Sequence, residues 1–403
     1  MDKLNRIIDF ALQDNEYYIK KFNDKPKSID DFSILTRLNL QNEKHKMISN
    51  TYKLKYESEH LLRQSSSGST GMPISVYWDY NNWYASNLVI WRKRKKWYNI
   101  FPNDKRVIFT LNAYNIRNDN DKIMYLLNSN ILSINIASID NDKKFIELIN
   151  LINKFEPKWL YIQPSILEKI IFICKKYNIK IINTLIYIEA VGEILSNNLK
   201  ENAKKFFNVS VANMYGSEEM NAIAFECPCH NMHILTDNVF VEVYDGEIKK
   251  EGKGNAIITS LNNYAMPLIR YNQEDEIELT NVIKCKCGEE SPIIKNIYGR
   301  KCDIIRINNV EINPYFLIEI MGELINMYND VIKSYSYIYY KSKKKLVAFL
   351  SLNGKYKNWS MKLENALKDL FMKKNYCRYI DFKIEFKDIE NNIGKRQIIK
   401  ILE

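Results

Sequence analysis

From about Lys105 onward the chain alternates apolar runs with amphipathic segments, and few folds accept that pattern. RVIFTLN and ILSINIA read as strands, and Phe145, Leu148, Ile149, Ile152 and Phe155 then recur at helical spacing. Pro157 closes that helix, KWLYIQP follows as a strand, and Pro164 stands where the helix SILEKIIFICKKY can begin. IKIINTLIYIEA and VSVANMYG continue the series. Parallel neighbours need crossover connections, so the expected class is α/β, a mostly parallel sheet covered by helices.

The texture changes twice more. After Glu226 come short strands separated by turn residues, NVFVEVYDG, GNAIITSL and DEIELTN, which read as a small β-rich subdomain over about 226–298. Beyond Arg300, strands in SYSYIYY, LVAFLSL and DFKIEF surround a helix from Ser360 to Lys374, a compact α+β unit. A length of 403 residues suits two or three domains, and 46% hydrophobic with 27% charged residues is an ordinary globular makeup. The N-terminal stretch MDKLNRIIDFALQDNEYYIKKF is interrupted by charge too often for a secretory or membrane-spanning segment, so a cytoplasmic protein without membrane insertion is expected.

Four of the seven cysteines fall in two close pairs, Cys227/Cys229 and Cys285/Cys287, which suits metal ligands in a reducing compartment better than disulfides. His230 and His233 adjoin the first pair. Two thiolate pairs, or three thiolates and an imidazole, make the soft tetrahedral set of structural Zn²⁺. The bland alternative is reduced cysteines with a satisfied core His233.

Two polar stretches remain. The net charge of +11 is scattered except in WRKRKKW at Trp91–Trp97, which sits on an expected helix. That segment reads as a solvated helix face anchored by its tryptophans, with docking of an acidic acceptor as the intermediate reading; no nucleic-acid partner is expected. Ser65–Pro73, SSSGSTGMP, concentrates glycine and small hydroxyls, as a backbone that grips an anion requires. No Lys-Ser/Thr follows in Walker spacing, so this is a phosphate loop of another kind or a surface turn.

Six stretches occur in one order: SSSGSTGMP, VGEIL, NMYGSEE, PLIRYNQED, YGRKCDIIRINNVEINP and NIGKRQIIKIL. Together they resemble the adenylate-forming (ANL) enzyme superfamily, and within it the branch of phenylacetate–coenzyme A ligases and CapK-like proteins, from about residue 60 to the C-terminus. The resemblance implies an N-terminal adenylation domain over 1–300, a hinge at 301–303 that includes Cys302, and a small mobile C-terminal lid over 304–403.

It also implies roles. Ser66, Ser67, Ser69, Thr70 and Gly71 would handle the ATP phosphates; Val191, Gly192, Glu193, Tyr215 and Gly216 would enclose adenine; Asp275 would take the ribose hydroxyls. Glu219 would hold Mg²⁺, Arg300 would contact the nucleotide beside the hinge, and Lys395 would reach the carboxylate and α-phosphate. Repulsion between a carboxylate and a triphosphate makes a divalent metal and a mobile ammonium the chemically expected catalysts. Proteins of this branch carry a cysteine, a histidine and a C-x-C-G at matching positions, which implies Cys227, His233, Cys285 and Cys287 for zinc, with Cys229 or His230 as substitutes.

The implied activity is conversion of a small carboxylic acid and ATP to an acyl-adenylate, then transfer to coenzyme A, a carrier protein, or an amine or hydroxyl of a sugar such as a sugar nucleotide, by a monomer or homodimer. The pocket is expected from Tyr161–Ser165 and Ala212–Met214. Four positions depart from the family pattern: Met72 for a common Lys, Glu218 for Ser or Thr, Glu274 for Gly and Cys302 for Asp. They motivate a second reading, a nucleotide-binding homologue that has lost turnover and serves as a partner or regulator.

Overall fold

The computed structural model describes residues 2–22, 26, 28–65, 74–110, 123–181, 184–307, 310–328, 331–373, 380–387, 389 and 398–403. The chain divides into two compact units, Met1–Pro102 with Met214–Ile297, and Asn103–Asn213 with Tyr298–Glu403.

The first unit is built on antiparallel strands. Ile248–Lys249, Val239–Tyr244, Gly252–Ser260, Tyr271–Lys284, Glu290–Arg300, Met232–Ile234, Asn221–Glu226 and Ser210–Ser217 follow one another as hydrogen-bonded neighbours. The expected β-rich region is therefore present. Its core gathers Leu35, Val76, Trp78, Ile223, Val241, Val243, Ile258 and Ile277. Ser75–Trp78 pairs antiparallel with Leu62–Ser65, Ser75 opposite Ser65, and so brackets the glycine- and serine-rich stretch.

Helix Tyr80–Tyr98 follows, started by the Asp79 side chain and ended by Asn99 in the left-handed conformation. Asn221 Nδ2 donates to Ser86 Oγ (3.1 Å) and the Tyr98 hydroxyl to the Glu226 carbonyl (2.6 Å), fixing the helix on strand Asn221–Glu226. The N-terminal segment is tied in by the buried Arg270, whose guanidinium donates to Glu242 (2.7 and 2.9 Å) and to Asp30 Oδ1 (2.7 Å). A buried guanidinium tolerates its surroundings only when its donors are matched in this way.

The second unit holds the strand–helix alternation. Tyr187–Val191, Trp159–Ile162, Arg106–Thr110 and Ile131–Asn135 are parallel neighbours, with Tyr125–Asn128 antiparallel at the edge. Every residue of Tyr187–Val191 is buried, as a strand covered on both faces must be. Helices Asp142–Phe155, Pro164–Tyr177 and Asn197–Phe207 pack Leu148, Ile149, Ile152, Leu167, Ile170 and Leu199 against Val107, Leu160 and Ile188. Truncating one of these to Ala costs about 2–5 kcal/mol.

Residues 305–399 of the same unit keep a hydrophobic core of their own, including Leu317, Leu324, Tyr337, Leu350, Leu367 and Ile384. There a four-stranded sheet, ordered Asp381–Phe386, Lys345–Leu352, Ile332–Tyr340, Ile399–Leu402, carries helices Pro314–Tyr328 and Ser360–Lys373. Glu319 ties this segment to helix Asn197–Phe207, accepting from the Asn197 backbone N–H (2.6 Å) and from Asn198 Nδ2 (2.9 Å).

Candidate functional site

In the first unit the stretches NMYGSEE and PLIRYNQED, which are not neighbours in the sheet, meet through their side chains and run in opposite senses. The Tyr215 hydroxyl donates to Asp275 Oδ2 (2.7 Å), Ser217 Oγ to Gln273 Oε1 (3.2 Å), and the Tyr271 hydroxyl to Glu219 Oε1 (3.4 Å). Each step moves two residues forward on one stretch and two back on the other, the period that puts side chains on one face of extended backbone. A bulge between Tyr215 and Gly216 accompanies the geometry. A Cβ at Gly216 would come within 2.5 Å of the Asn221 carbonyl oxygen, so this position is closed to other residues.

Glu219 is only 4% exposed, whereas Glu218 faces solvent. Desolvation by burial, and then the Glu219 charge, nonetheless raise the Glu218 carboxyl above the ordinary carboxylate value, so the two acids still oppose one another's ionisation. Burial, and then the Glu219 charge, raise the Tyr271 hydroxyl well above an ordinary tyrosine pKa, so it remains a donor. Glu274 adopts φ +65, with its N–H donating to Asn272 Oδ1 (3.0 Å). The backbone before Asp275 keeps a glycine-like conformation although its residue is glutamate.

In the second unit Gly192 has φ +78, the left-handed conformation that favours glycine. The Glu193 carboxylate accepts from the Ser165 N–H (2.9 Å) and hydroxyl (3.0 Å) at the start of helix Pro164–Tyr177, where orphan backbone donors and the helix dipole both favour an anion. Gln163 donates to the Phe109 carbonyl (3.2 Å), and its own Oε1 is buried without a partner among the described residues. Arg300 ends strand Glu290–Arg300, and Cys302 is exposed in the short 3₁₀ turn Lys301–Asp303. Ser66, Ser67, Ser69, Thr70, Gly71, Met72 and Lys395 lie outside the described residues.

Cys227, His233, Cys285 and Cys287 converge, their ligand atoms all within 4.8 Å of one another. Two tight turns prepare the set: the His230 N–H donates to the Cys227 carbonyl (2.8 Å) with His230 at φ +62, and the Gly288 N–H to the Cys285 carbonyl (3.0 Å) with Gly288 at φ +78. His233 stands on strand Met232–Ile234, with Nδ1 2.9 Å from Ser291 Oγ and Nε2 3.4 Å from Cys287 Sγ. An outer partner on one ring nitrogen, leaving the other free to ligate, is usual for a metal-binding histidine. Burial opposes ionisation of Cys285, but the Cys287 backbone N–H, the Asn231 amide and His233 outweigh it and bring its pKa down to about 5. Three sulfurs and one imidazole with little solvent access fit a structural zinc ion, with no position left for a reacting water. Cys229 is exposed and stands outside the group.

The basic helix leans on this cluster. The Trp97 ring stacks on Phe225 (centroids 5.6 Å apart, 25° between planes) and lies 5.8 Å from His233. Lys93 pairs with Glu289 at 2.5 Å, Lys96 approaches it at 3.6 Å, and Arg94 is buried over Trp91. The expected solvated face is therefore narrower than the charge run, because three of its cations serve packing. The hydroxyls of Tyr271 and Ser217 and the amide of Gln273 were not singled out as site groups from the sequence; the alternation of Tyr271, Gln273 and Asp275 within PLIRYNQED is the signal that could have found two of them.

No family model matches the chain. Protein CapK of Staphylococcus aureus is 23% identical over 317 residues, covering 75% of this chain and 68% of that protein. Phenylacetate-coenzyme A ligase of Pseudomonas putida is 25% identical over 177 residues, 41% of this chain and 39% of that one. Among solved structures, 2-hydroxyisobutyryl-CoA ligase in complex with an acyl-adenylate has the same fold, with a TM-score of 0.74 at 13% identity over 99% of this chain and 88% of the other. Among the described residues no helix is long and apolar enough to cross a membrane.

Proposed function

The chain belongs to the adenylate-forming superfamily, and we propose that it activates a small carboxylic acid as an acyl-adenylate and then passes the acyl group to an acceptor nucleophile. In the first half-reaction a carboxylate oxygen attacks the α-phosphorus of ATP, the bond to the bridging oxygen breaks, and pyrophosphate leaves. In the second the acceptor attacks the acyl carbon, AMP departs, and the proton of the acceptor is lost. The observation that carries this reading is the side-chain ladder of Tyr215–Asp275, Ser217–Gln273 and Tyr271–Glu219.

Asp275, held by Tyr215, offers a carboxylate suited to two vicinal hydroxyls of a ribose. Tyr215 supplies the aromatic face for adenine, beside Gly216. Glu219, oriented by Tyr271, would hold Mg²⁺, which when bound neutralises phosphate charge. Ser66, Ser67, Ser69, Thr70 and Gly71 are assigned to the phosphates, and Lys395 and Arg300 to the transferring group. Glu193 serves as a cap of the Ser165 helix and orders the backbone at Gly192.

The acceptor is coenzyme A or a carrier-bound thiol, the nucleophiles named with the ligase relatives and neighbours. Residues 304–403 act as a lid over this chemistry, and the Glu319 contacts to Asn197 and Asn198 are bonds that a swinging lid must break. Cys227, His233, Cys285 and Cys287 hold zinc as a staple. The reading is tested by hydroxamate trapping over a panel of aryl, alkyl and amino acids with Mg·ATP. An acid-dependent hydroxamate accompanied by AMP supports it, whereas ATP binding without any product fits the homologue that has lost turnover.

A further inference from the structure

The outward face of helix Tyr80–Tyr98 is unusual for a soluble protein. Tyr80, Tyr84 and Leu88 are 50%, 60% and 54% exposed, and they recur every fourth residue. Arg92 continues the same row one turn later, followed by Lys96, and Lys95 is exposed beside them. At 100° per residue Leu88 lies at the middle of the exposed arc as well as near the middle of the helix, with Tyr84 and Arg92 one turn to either side. The ring of Tyr84 is held edge-on by Trp83, centroids 5.4 Å apart. The helix itself carries no acidic residue on this face, although Lys96 at its end leans toward Glu289 (3.6 Å).

The row is complementary to itself. When two such helices cross antiparallel about a two-fold axis at Leu88, each position meets the one equally far on the other side of Leu88. Leu88 then meets Leu88, Tyr84 meets Arg92 twice, and Tyr80 lies toward Lys96 twice. Cations meet aromatic faces, no like charges are opposed, and the apolar centre is sealed. Rows of every fourth residue are also the ridges that interlock in the commonest helix crossing, near −50°. A guanidinium over a tyrosine face contributes about 0.5–1 kcal/mol at an exposed site and more when water is excluded.

We propose that this face is a homodimer interface, in which the helix Tyr80–Tyr98 of one protomer crosses that of its partner at Leu88. A lipid surface fits less well, since the apolar residues form a single row rather than a broad stripe and occupy only one end of the helix. An interface this narrow is at the small end of specific contacts, so a weak dimer in equilibrium with monomer is expected. Two chains of charge +11 repel at long range while the Leu88 and Tyr84–Arg92 contacts are short-range, so added salt should strengthen the dimer.

Sedimentation equilibrium of the full chain tests this. The wild type should dimerise with rising concentration, and Tyr84→Arg, which sets arginine against Arg92, should weaken association at least about tenfold. Adding Arg92→Glu to that variant should restore it, because the two positions are too far apart along one helix to pair within a chain. As a second readout, Leu88→Cys should be joined between protomers by a short bismaleimide far faster than the wild type treated alike. A wild type monomeric at concentrations on the order of a hundred micromolar, or a dimer indifferent to Tyr84→Arg, overturns the proposal. So does a monomer that sediments with phosphatidylglycerol vesicles, or associates with an acidic protein, through Leu88.

Discussion

Tyr215 and Asp275, sixty residues apart in the chain, are joined by a 2.7 Å hydrogen bond from the tyrosine hydroxyl to the carboxylate. A charge-assisted bond of this length orients both groups, the aromatic ring and the acid, without occupying the second carboxylate oxygen. Tyr215→Phe should therefore keep stacking but loosen Asp275, raising the KM for ATP by about three- to tenfold with a smaller change in kcat. Asp275→Asn should lose more, about a hundredfold in kcat/KM for ATP. Steady-state kinetics of pyrophosphate release separates the two; equal effects would mean that the pair acts only through the fold.

Glu274 at φ +65 carries a conformational cost that glycine avoids, about 1–2 kcal/mol, offset in part by the greater freedom of glycine in the unfolded chain. Glu274→Gly should raise stability by about 0.5–1 kcal/mol, read from the urea midpoint. A loss of stability would show that the glutamate side chain makes a favourable contact the backbone argument ignores.

The half-buried Trp97 ring, 5.8 Å from His233 and with a buried indole N–H that has no partner among the described residues, makes a natural reporter of the metal cluster. Protein never exposed to chelator should contain close to one zinc per chain, and its removal should shift tryptophan emission and lower the thermal midpoint. Cys285→Ser should do the same, while Cys229→Ser leaves zinc content unchanged. Finding less than about half an equivalent of zinc would count against the site.

Asp142 binds Lys176 at 2.7 Å and Lys169 at 3.2 Å, stapling the helices Asp142–Phe155 and Pro164–Tyr177. Partial burial opposes its charge, but the two lysines prevail and hold its pKa below the ordinary carboxylate value. A lowered folded pKa adds stability above the unfolded pKa and loses it as pH falls through the folded one. Asp142→Asn should thus cost about 0.5–1 kcal/mol at neutral pH, with the gap closing as pH falls through the lowered carboxylate pKa. A gap that stays constant to acid would assign the loss to packing instead.

Much of this was legible beforehand, for identifiable reasons. Helical spacing from Phe145 to Phe155 and the prolines at 157 and 164 mark elements whose signals are local, and they lie where the pattern puts them. The cysteine pairs and His233 were readable because zinc chemistry restricts ligand type, although their convergence depends on strand pairing between Met232–Ile234 and its neighbours. Less was readable in the facing of NMYGSEE and PLIRYNQED. No local rule states which strand lies beside which, so the duties of Tyr271 and Gln273 had to await the fold. Glu193 carries a duty that its motif does not state: its carboxylate accepts from the Ser165 helix start. In WRKRKKW the charge run hides that Lys93 and Arg94 are structural, because composition does not record Glu289 or Trp91 as neighbours in space.

Acid-dependent exchange of labelled pyrophosphate into ATP isolates the adenylation step, and Lys395→Ala tests it most directly. With a substrate identified by trapping, the wild type should exchange and the variant should lose most of the rate, about a hundredfold or more, while its thermal midpoint and zinc content stay the same. Exchange at the wild-type rate in Lys395→Ala would contradict adenylate formation by this site.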